Sequence, residues 1–425
     1  MAREMKDSGI EWIGEIPSTW TLLRTKALYS HHKTVVGDKS DNYERLALTL
    51  NGVIKRSKED STGLQPEAFN GYQILRKDEL VFKLIDLENI STSRVGLSPY
   101  EGLVSPAYIV LRPKENTFSK FGYYHYLSMW HRNIFNHMGD DGVRSSLNAS
   151  DLLGIPCVVP PLDEQHRIAD FLDRKCAEID RVLEKTRASI EEYKKLKQSV
   201  ITQAVTKGIR GEREMKDSGI EWIGEIPSTW NIVKGKYRFR ERNSRGNNIN
   251  LQLLSPTQKY GVIPQNLYEE LTGMKAVKLD EKADLSTFKT IYSGDFCISL
   301  RSFQGGFEYS EYNGVVSPAY HVFYGTTPLC NHYFKYLFKT KSFIEKMASL
   351  TKTFRDGKSI SFTDFSNSLI PIPPLEEQHS IADFLDRKCA EIDTLISKKE
   401  QFITEIEAYK KSLIYEYVTG KKEVQ

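Results

Sequence analysis

The chain contains the segment REMKDSGIEWIGEIPSTW twice, at Arg3–Trp20 and, without a change, at Arg213–Trp230. A second block, PPLDEQHRIADFLDRKCAEID at Pro160–Asp180, returns at Pro373–Asp393 with only two differences. Internal self-similarity of this kind decides the architecture before local propensity does. The protein is therefore two copies of one unit, each made of a leading segment, a middle domain and a C-terminal arm.

Each arm has the pattern of a long helix. Apolar residues recur at spacings of three, four and seven from Ile168 and again from Ile381, which marks one helical face. A double proline fixes each start, and Gly208 and Gly420 suit the ends. Because a long helix with one apolar stripe needs a partner, we expect the two arms to pair as an antiparallel coiled coil. Packing of each arm on its own domain alone remains the alternative.

The middle domains, Thr21–Val159 and Asn231–Ile372, have nearly equal lengths but little sequence identity. Short β-type runs broken by Gly, Asn and Pro indicate a mixed α/β domain, with one helix expected at Phe121–Phe135 and another at His332–Met347. The predicted fold class is α+β, a tandem duplication of this domain followed by a long helix. A copied scaffold with diverged middles is typical of a protein that has two different targets.

Composition limits the class of protein. The chain has 425 residues and a net charge of +3, too balanced to indicate nucleic-acid binding by net charge alone. No apolar run approaches the length of a membrane span and the N-terminus lacks a signal-peptide core, so we expect a cytoplasmic protein. Five scattered cysteines fit neither a disulfide framework nor a zinc site, which implies a reducing compartment.

The repeated GEIPSTW segment, the diverged middle domain and the PPLxEQxxIADFLD helix start together resemble the specificity subunits of type I restriction–modification systems. The resemblance covers nearly the whole chain. It implies sequence-specific binding of double-stranded DNA at a bipartite, asymmetric target, with no cofactor and no catalysis in this chain. Methyltransferase (M) and restriction/translocase (R) subunits would be the partners. The implied segments are a first target recognition domain at 1–159, a first spacer helix at 160–210, a second target recognition domain at 211–372 and a second spacer helix at 373–425.

Enzymatic alternatives leave weak traces. Ser105–Tyr108 and Ser317–Tyr320 both read SPAY, close to the motif with which adenine-N6 methyltransferases hold a flipped base, but Ala replaces the second Pro and no glycine-rich turn is present. We interpret SPAY as a strand-entry turn with a buried Tyr. The Asp-Arg-Lys triplets at Asp173 and Asp386 resemble part of a nuclease motif, and we interpret them as surface charges of the arms. No phosphate-binding loop is present.

Two further hypotheses concern metal and protein binding. His125, His131 and His137 are spaced six apart, which does not align side chains on one helical face, so we expect ordinary surface or boundary histidines and no metal site. Cys176 and Cys389 are interpreted as packing residues. A protein-only coiled-coil scaffold stays open as an alternative function, and salt-dependent retention on heparin or DNA would distinguish it.

Phosphate and base contacts require Lys, Arg and polar side chains in exposed loops. The alternation in KYRFRERNSR further predicts Arg238, Arg240 and Arg242 on one face, with Tyr237 and Phe239 in the core. The candidate DNA-binding residues are Lys33, Lys39, Lys55, Arg56, Lys58, Arg94 and Arg144 in the first domain and Lys234, Lys236, Arg238, Arg240, Arg242, Arg245, Arg301, Lys352, Arg355 and Lys358 in the second.

Overall fold

The structure is a computed structural model that describes residues 3–60, 68–87, 92–138, 146–246, 252–274, 285–299, 306–326, 328–350 and 360–424. The chain forms two compact units. The first unit comprises Met1–Thr186 together with Glu400–Gln425, and the second comprises Arg187–Lys399. Among the described residues, no helix is long and apolar enough to cross a membrane.

The first repeat contains twelve labelled strands and four helices in its described part. The strands are β1 Met5–Asp7, β2 Glu15–Pro17, β3 Thr21–Arg24, β4 Tyr29–His31, β5 Arg45–Thr49, β6 Gly52–Arg56, β7 Gln73–Leu75, β8 Leu80–Phe82, β9 Val95–Leu97, β10 Gly102–Val104, β11 Ile109–Pro113 and β12 Pro156–Val159. The helices are α1 Thr25–Leu28, α2 Ser119–His131, α3 Ala149–Gly154 and α4 Leu162–Lys207.

The strands of the second repeat follow the same order as those of the first, but its helices differ. Its strands are β13 Met215–Asp217, β14 Glu225–Pro227, β15 Asn231–Lys234, β16 Phe239–Arg242, β17 Leu254–Thr257, β18 Gly261–Pro264, β19 Lys289–Ile291, β20 Phe296–Ile298, β21 Phe307–Tyr309, β22 Gly314–Val316, β23 His321–Gly325 and β24 Leu369–Ile372. The helices are α5 Gln265–Thr272, α6 Asn331–Leu337, α7 Lys341–Ser349, α8 Phe362–Asn367 and α9 Leu375–Val418. Helix α5 lies between β18 and β19, and three helices precede β24.

Corresponding sheets occur in the two middle domains. In the first, β4-β11-β8-β9 forms one four-stranded sheet, β6-β5-β10-β7 forms another, and β12 pairs with β3. In the second, β16-β23-β20-β21 corresponds to the first of these sheets, β17-β18 and β19-β22 to parts of the second, and β15-β24 to the last. The prediction of a shared mixed α/β fold is therefore confirmed, although the two domains have few residues in common.

The long helices pair antiparallel within each unit. In the first unit, the Phe171 and Tyr417 rings lie 4.4 Å apart and Lys410 Nζ is 2.6 Å from Asp180 Oδ1. In the second, Lys197 Nζ is 2.6 Å from Asp393 Oδ2. Residue numbers that rise on α4 thus fall on α9, which confirms the predicted orientation. Several members of the predicted apolar stripe are nevertheless exposed, namely Val182, Leu196, Leu395 and Tyr409.

Both long helices end at the predicted glycines. Gly208 and Gly420 adopt φ of 79° and 72°, a left-handed conformation that favours glycine at a helix end. A Cβ at Gly420 would lie 2.4 Å from Cδ of Pro17, so this glycine also permits close packing on the leading segment of its unit. The helix predicted at His332–Met347 is wrong in one respect: it is two helices, because Thr340 caps the start of α7 by accepting a hydrogen bond from the Phe343 amide.

The two repeated blocks contact each other. Trp20 Nε1 donates to Glu164 Oε2 over 2.9 Å, and Arg3 lies 2.7 Å from the other oxygen of the same carboxylate. In the second unit, Trp230 and Arg213 bind Glu377 in the same way, at 3.0 and 2.6 Å. The near-identity of both blocks therefore has a structural reason: each leading segment is held to the start of a long helix by the same three side chains.

The long helices also hold the middle domains. The backbone amide of Phe118 donates to Gln165 Oε1 over 3.1 Å, and Tyr124 donates to Asp173 over 2.7 Å. Their counterparts are the bonds from Cys330 to Gln378 and from Tyr336 to Asp386. Asp173 and Asp386 are partly exposed charges of the arms, as interpreted, but each also accepts a tyrosine hydroxyl from a domain helix. Cys176 and Cys389 are buried free thiols, as predicted.

Candidate nucleic-acid interface

Five of the predicted DNA-binding residues lie outside the described residues, namely Arg144, Arg301, Lys352, Arg355 and Lys358. Of the first-domain residues that can be placed, Lys33 and Lys39 are exposed and have no ion-pair partner in the described part of the chain. Lys55 is exposed on β6 but is paired with Glu44 at 2.5 Å and lies over the Tyr100 ring.

Arg56 and Lys58 belong to a patch of cations and aromatic rings. Lys58 Nζ and the Arg45 guanidinium both lie 5.6 Å from the centre of the Phe69 ring, which packs edge-on against Tyr72 at 4.9 Å. Arg56 is cross-strand partner to Arg45 in the register of β5 and β6 and forms an ion pair with Asp60 at 2.7 Å. Arg45 is a buried residue of β5 and was not among the predicted residues.

The SPAY turn lies beside this patch. The Tyr108 amide donates to the Ser105 carbonyl over 3.1 Å, and Gln73 Nε2 donates to the carbonyls of both residues. Burial raises the pKa of Tyr108, and the charges of Arg45, Arg94 and Arg56 act against that rise. The interpretation of SPAY as a turn is confirmed, but Tyr108 and its counterpart Tyr320 are only half-buried.

Arg94 does not lie on the surface as expected. It is fully buried, and its guanidinium donates to the carbonyl oxygens of Ile85 and Asp86. Lys83 lies next to it and was not predicted. Burial lowers the pKa of Lys83, and the neighbouring charge of Arg94 lowers it further, while Asp86 opposes them. Lys83 and Arg94 therefore lie close enough for their charges to repel each other.

In the second domain, the residues of the predicted run at Lys234–Arg245 differ in their surroundings. Lys234, Lys236 and Arg240 are exposed, and Arg238 is half-buried. Arg242 instead forms a bidentate ion pair with the buried Asp295, at 2.7 and 3.1 Å, between the rings of Tyr292 and Tyr324. This resembles the Arg112–Glu79 pair of the first domain and indicates a structural role.

The predicted alternation holds only from β16 onward. Phe239 is fully buried as expected, but Tyr237 is 63% exposed. The reason is local: Gly235–Tyr237 form a 3-10 turn, so the two-residue period of a strand does not extend back to Tyr237.

Arg245 lies at the edge of the second domain that corresponds to the patch in the first domain. It bridges to Lys289 of β19, and Lys289 Nζ donates to the Tyr320 carbonyl over 2.8 Å, in the place that Gln73 takes beside Tyr108. Arg245 is exposed. Each domain thus presents cations next to the tyrosine of its SPAY turn, on the same edge of the same fold, but with different side chains.

The described residues include no group of His, Cys, Asp and Glu that could hold a metal ion. His125 was expected at a surface or boundary, but it is buried beside Trp12 and Phe121, and burial lowers its pKa to about 4. His131 is half-buried and His137 exposed. Burial likewise raises the pKa of the Cys157 thiol, to about 11, so this cysteine is not an activated nucleophile.

Comparison with known proteins gives consistent matches. The family model described as "Type I restriction modification DNA specificity domain" matches twice, at residues 32–192 and 230–406. The specificity subunit of type I restriction enzyme MjaX from Methanocaldococcus jannaschii is 24% identical, with 97% of this chain and 96% of that protein covered. The EcoKI specificity subunit of Escherichia coli is 21% identical, covering 97% of this chain and 91% of that one.

Solved structures share the fold. A chain from a study of complex assembly and conformational transition of the type I R-M system has a TM-score of 0.69 at 15% identity, covering 96% of this chain and 99% of that one. The crystal structure of the HsdS subunit from Thermoanaerobacter tengcongensis has a TM-score of 0.51 at 15% identity, covering 96% and 98%.

Proposed function

Because this chain belongs to the type I restriction–modification DNA specificity family, as a specificity subunit, we propose that its two middle domains read the two halves of a bipartite, asymmetric DNA target. The segments 1–159 and 211–372 would be the target recognition domains, and 160–210 and 373–425 the spacer helices. Methylation and cleavage would belong to M and R subunits that dock on this chain, which would act without a cofactor of its own.

One observation carries the proposal: the same edge of each middle domain bears cations beside a SPAY tyrosine, while the residues that hold the domains to the long helices are shared. Arg56 and the buried Arg45 lie beside Tyr108 in the first domain, and Lys83 lies next to Arg94. Arg245 and Lys289 lie beside Tyr320 in the second. Cations give affinity for the phosphate backbone, and differences between them and their neighbours give different base preferences. Two different readers on one scaffold imply an asymmetric target.

The test is a domain exchange with limits taken from the structure. Thr21 and Val159 are cross-strand partners of β3 and β12, so replacing Thr21–Val159 by the corresponding segment of a relative keeps both ends of the exchange paired. Methylated-motif mapping in a host that also expresses the methyltransferase should show one changed half-site and one unchanged half-site.

The matched control is the exchange of Asn231–Ile372, whose ends are partners in β15 and β24. It should change the other half-site only. If either exchange altered both halves, the assignment of one half-site to one domain would be wrong. If the parent chain showed no salt-dependent retention on duplex DNA, the protein-only scaffold would be the better description.

A further inference from the structure

The second unit contains a cavity of about 500 Å³, within the range of small-molecule sites. It lies between Ile201 of α4, the β17–β18 hairpin, α5, and the segments around Glu308 and Lys335. Its walls are largely apolar and aromatic, and include Leu267, Leu271 and Tyr312. All of these residues belong to the second compact unit.

Glu308 is the unusual member of this cavity. The residue is only 1% exposed, and its Oε1 is 2.7 Å from Lys339 Nζ. Its Oε2 has no hydrogen-bond partner among the described residues. A buried carboxylate oxygen is an acceptor only, and such atoms are rarely left without a donor in native proteins. The cavity therefore offers one acceptor to a ligand that carries an N–H group.

The rim has the opposite charge. Lys197, Lys259, Lys335 and Lys339 line the cavity together with Glu308 and Glu311. Lys197 is paired with Asp393, outside the lining, so the four lysines and three carboxylates leave a net charge of about +1. Lys335 is paired with Glu311 at 3.0 Å and lies 5.4 Å from the centre of the Tyr309 ring. Together the lining combines an apolar and aromatic wall, one deep acceptor and a small net positive charge, which suits a ring-bearing anion with an amino group.

The first repeat lacks this arrangement. Strands β8 and β9 of the first repeat correspond to β20 and β21 of the second. In these two strand pairs, Gly96 occupies the position that Glu308 has in the second repeat. Tyr124 and Tyr336 make the same hydrogen bond to the long helix of their unit, so they are corresponding residues. By the same alignment, Tyr123 corresponds to Lys335 and Leu127 to Lys339. The acid and both lysines are therefore not required by the shared fold.

We propose that this cavity binds a nucleotide whose base carries an exocyclic amino group, with the amino group donating to Glu308 Oε2 and the phosphate lying at the lysine rim. Only one carboxylate oxygen is available, because Lys339 occupies the other, so a single donor fits better than the paired donors of guanine. The adenine N6 amino group has this chemistry, and AMP is the probe of choice.

Calorimetric titration of the full chain at pH 8, where Glu308 is ionised, tests the proposal. AMP should bind saturably, and purine riboside 5′-monophosphate, which lacks only the amino group, should bind at least about tenfold more weakly. Glu308→Gln should remove that preference, because the amide can turn its own N–H group toward the ligand. Lys335→Gln should weaken both nucleotides.

Glu345→Gln is the matched control, since Glu345 is an exposed residue outside the cavity, and it should leave AMP binding unchanged. A second titration uses a single-stranded oligonucleotide. Tighter, Glu308-dependent binding of the strand would identify the occupant as a nucleotide of nucleic acid rather than a free one. The proposal would be overturned if neither AMP nor the strand bound saturably. It would also be overturned if Glu308→Gln, shown to be folded by a cooperative thermal transition, kept the nucleotide preference of the parent chain.

Discussion

The indole Nε1 of Trp20 lies 2.9 Å from Glu164 Oε2, a bond that joins two segments 144 residues apart in the sequence. Both residues sit in blocks that occur twice, and Trp230 and Glu377 repeat the contact. Trp20 is fully buried and Glu164 nearly so, which makes this carboxylate the anchor of the first leading segment.

We expect Glu164→Ala to lower the free energy of unfolding of the first unit by about 2–4 kcal/mol, because it leaves a buried indole N–H and the Arg3 charge without an acceptor. Hydrogen-exchange mass spectrometry, which reports each unit separately, is the measurement. Glu377→Ala should have the same effect on the second unit only. The exposed neighbour Asp163 is the control, and an equal loss in Asp163→Ala would contradict the anchor.

Arg242 and Arg245 are close in sequence but should behave differently. Arg242→Gln removes the partner of the buried Asp295 and should cost the second unit about 2–4 kcal/mol. Arg245→Gln should leave stability unchanged and reduce the salt dependence of DNA affinity by about 0.9 in log–log slope, the contribution of one phosphate contact. Denaturation and anisotropy titrations at several salt concentrations measure the two effects. The reverse assignment would show that the DNA-binding edge is misplaced.

We expect the Lys83 side chain to lower the stability of the first unit slightly and to raise its affinity for duplex DNA. Its ammonium lies near Arg94 in a partly buried place, so Lys83→Gln should leave the first unit as stable as the parent or slightly more stable, through loss of repulsion. Duplex affinity should nevertheless fall. Melting temperature and DNA titration of the same variant provide the check. A variant that is less stable and binds DNA normally would mark Lys83 as a structural residue.

Glu308 should make the stability of the second unit depend on pH. Burial raises its pKa to about 7 from an ordinary value of 4.5, so the folded state binds its proton more tightly than the unfolded state. The contribution of Glu308 to stability should therefore be largest below about pH 4.5, fall as pH rises through 7, and level off above it, by at most about 3 kcal/mol. Glu308→Gln should flatten this contribution in denaturant titrations between pH 5 and 8. A parent-like slope in the variant would assign the pH dependence to other groups.

The architecture was predictable because its signals are repeated. Two copies of one apolar helical pattern, bounded by double prolines and by Gly208 and Gly420, predict two long helices that need partners. The blocks containing Trp20 and Glu164 are nearly identical in the two repeats, whereas the middle domains differ at most positions. This difference was itself a signal that the two blocks contact each other. The break before α7 was not predicted, since a Thr cap inside an aromatic-rich run resembles an ordinary helical residue.

Individual site residues were harder to predict, because the role of a cation depends on what folds around it. Arg94 and Arg242 resemble exposed DNA contacts in the sequence, yet one is buried on the Ile85 and Asp86 carbonyls and the other on Asp295, 53 residues away. Arg45 and Lys83, in contrast, were not predicted as DNA contacts, because they lie in runs typical of strands. Only the tertiary structure distinguishes a cation that stabilises the fold from one that can bind DNA.

The composition of the two units has a consequence for the order of events during synthesis. The second unit is one continuous stretch, Arg187–Lys399, whereas the first needs residues from both sides of it. Leu413, Ile414 and Val418 belong to the same core cluster as Trp20 and Leu172. A nascent chain therefore emerges with the first unit unfinished and keeps it so while all of the second is translated. The unit that begins first is completed last, so that a chain halted before residue 413 would expose apolar surface of its N-terminal half to chaperones and proteases.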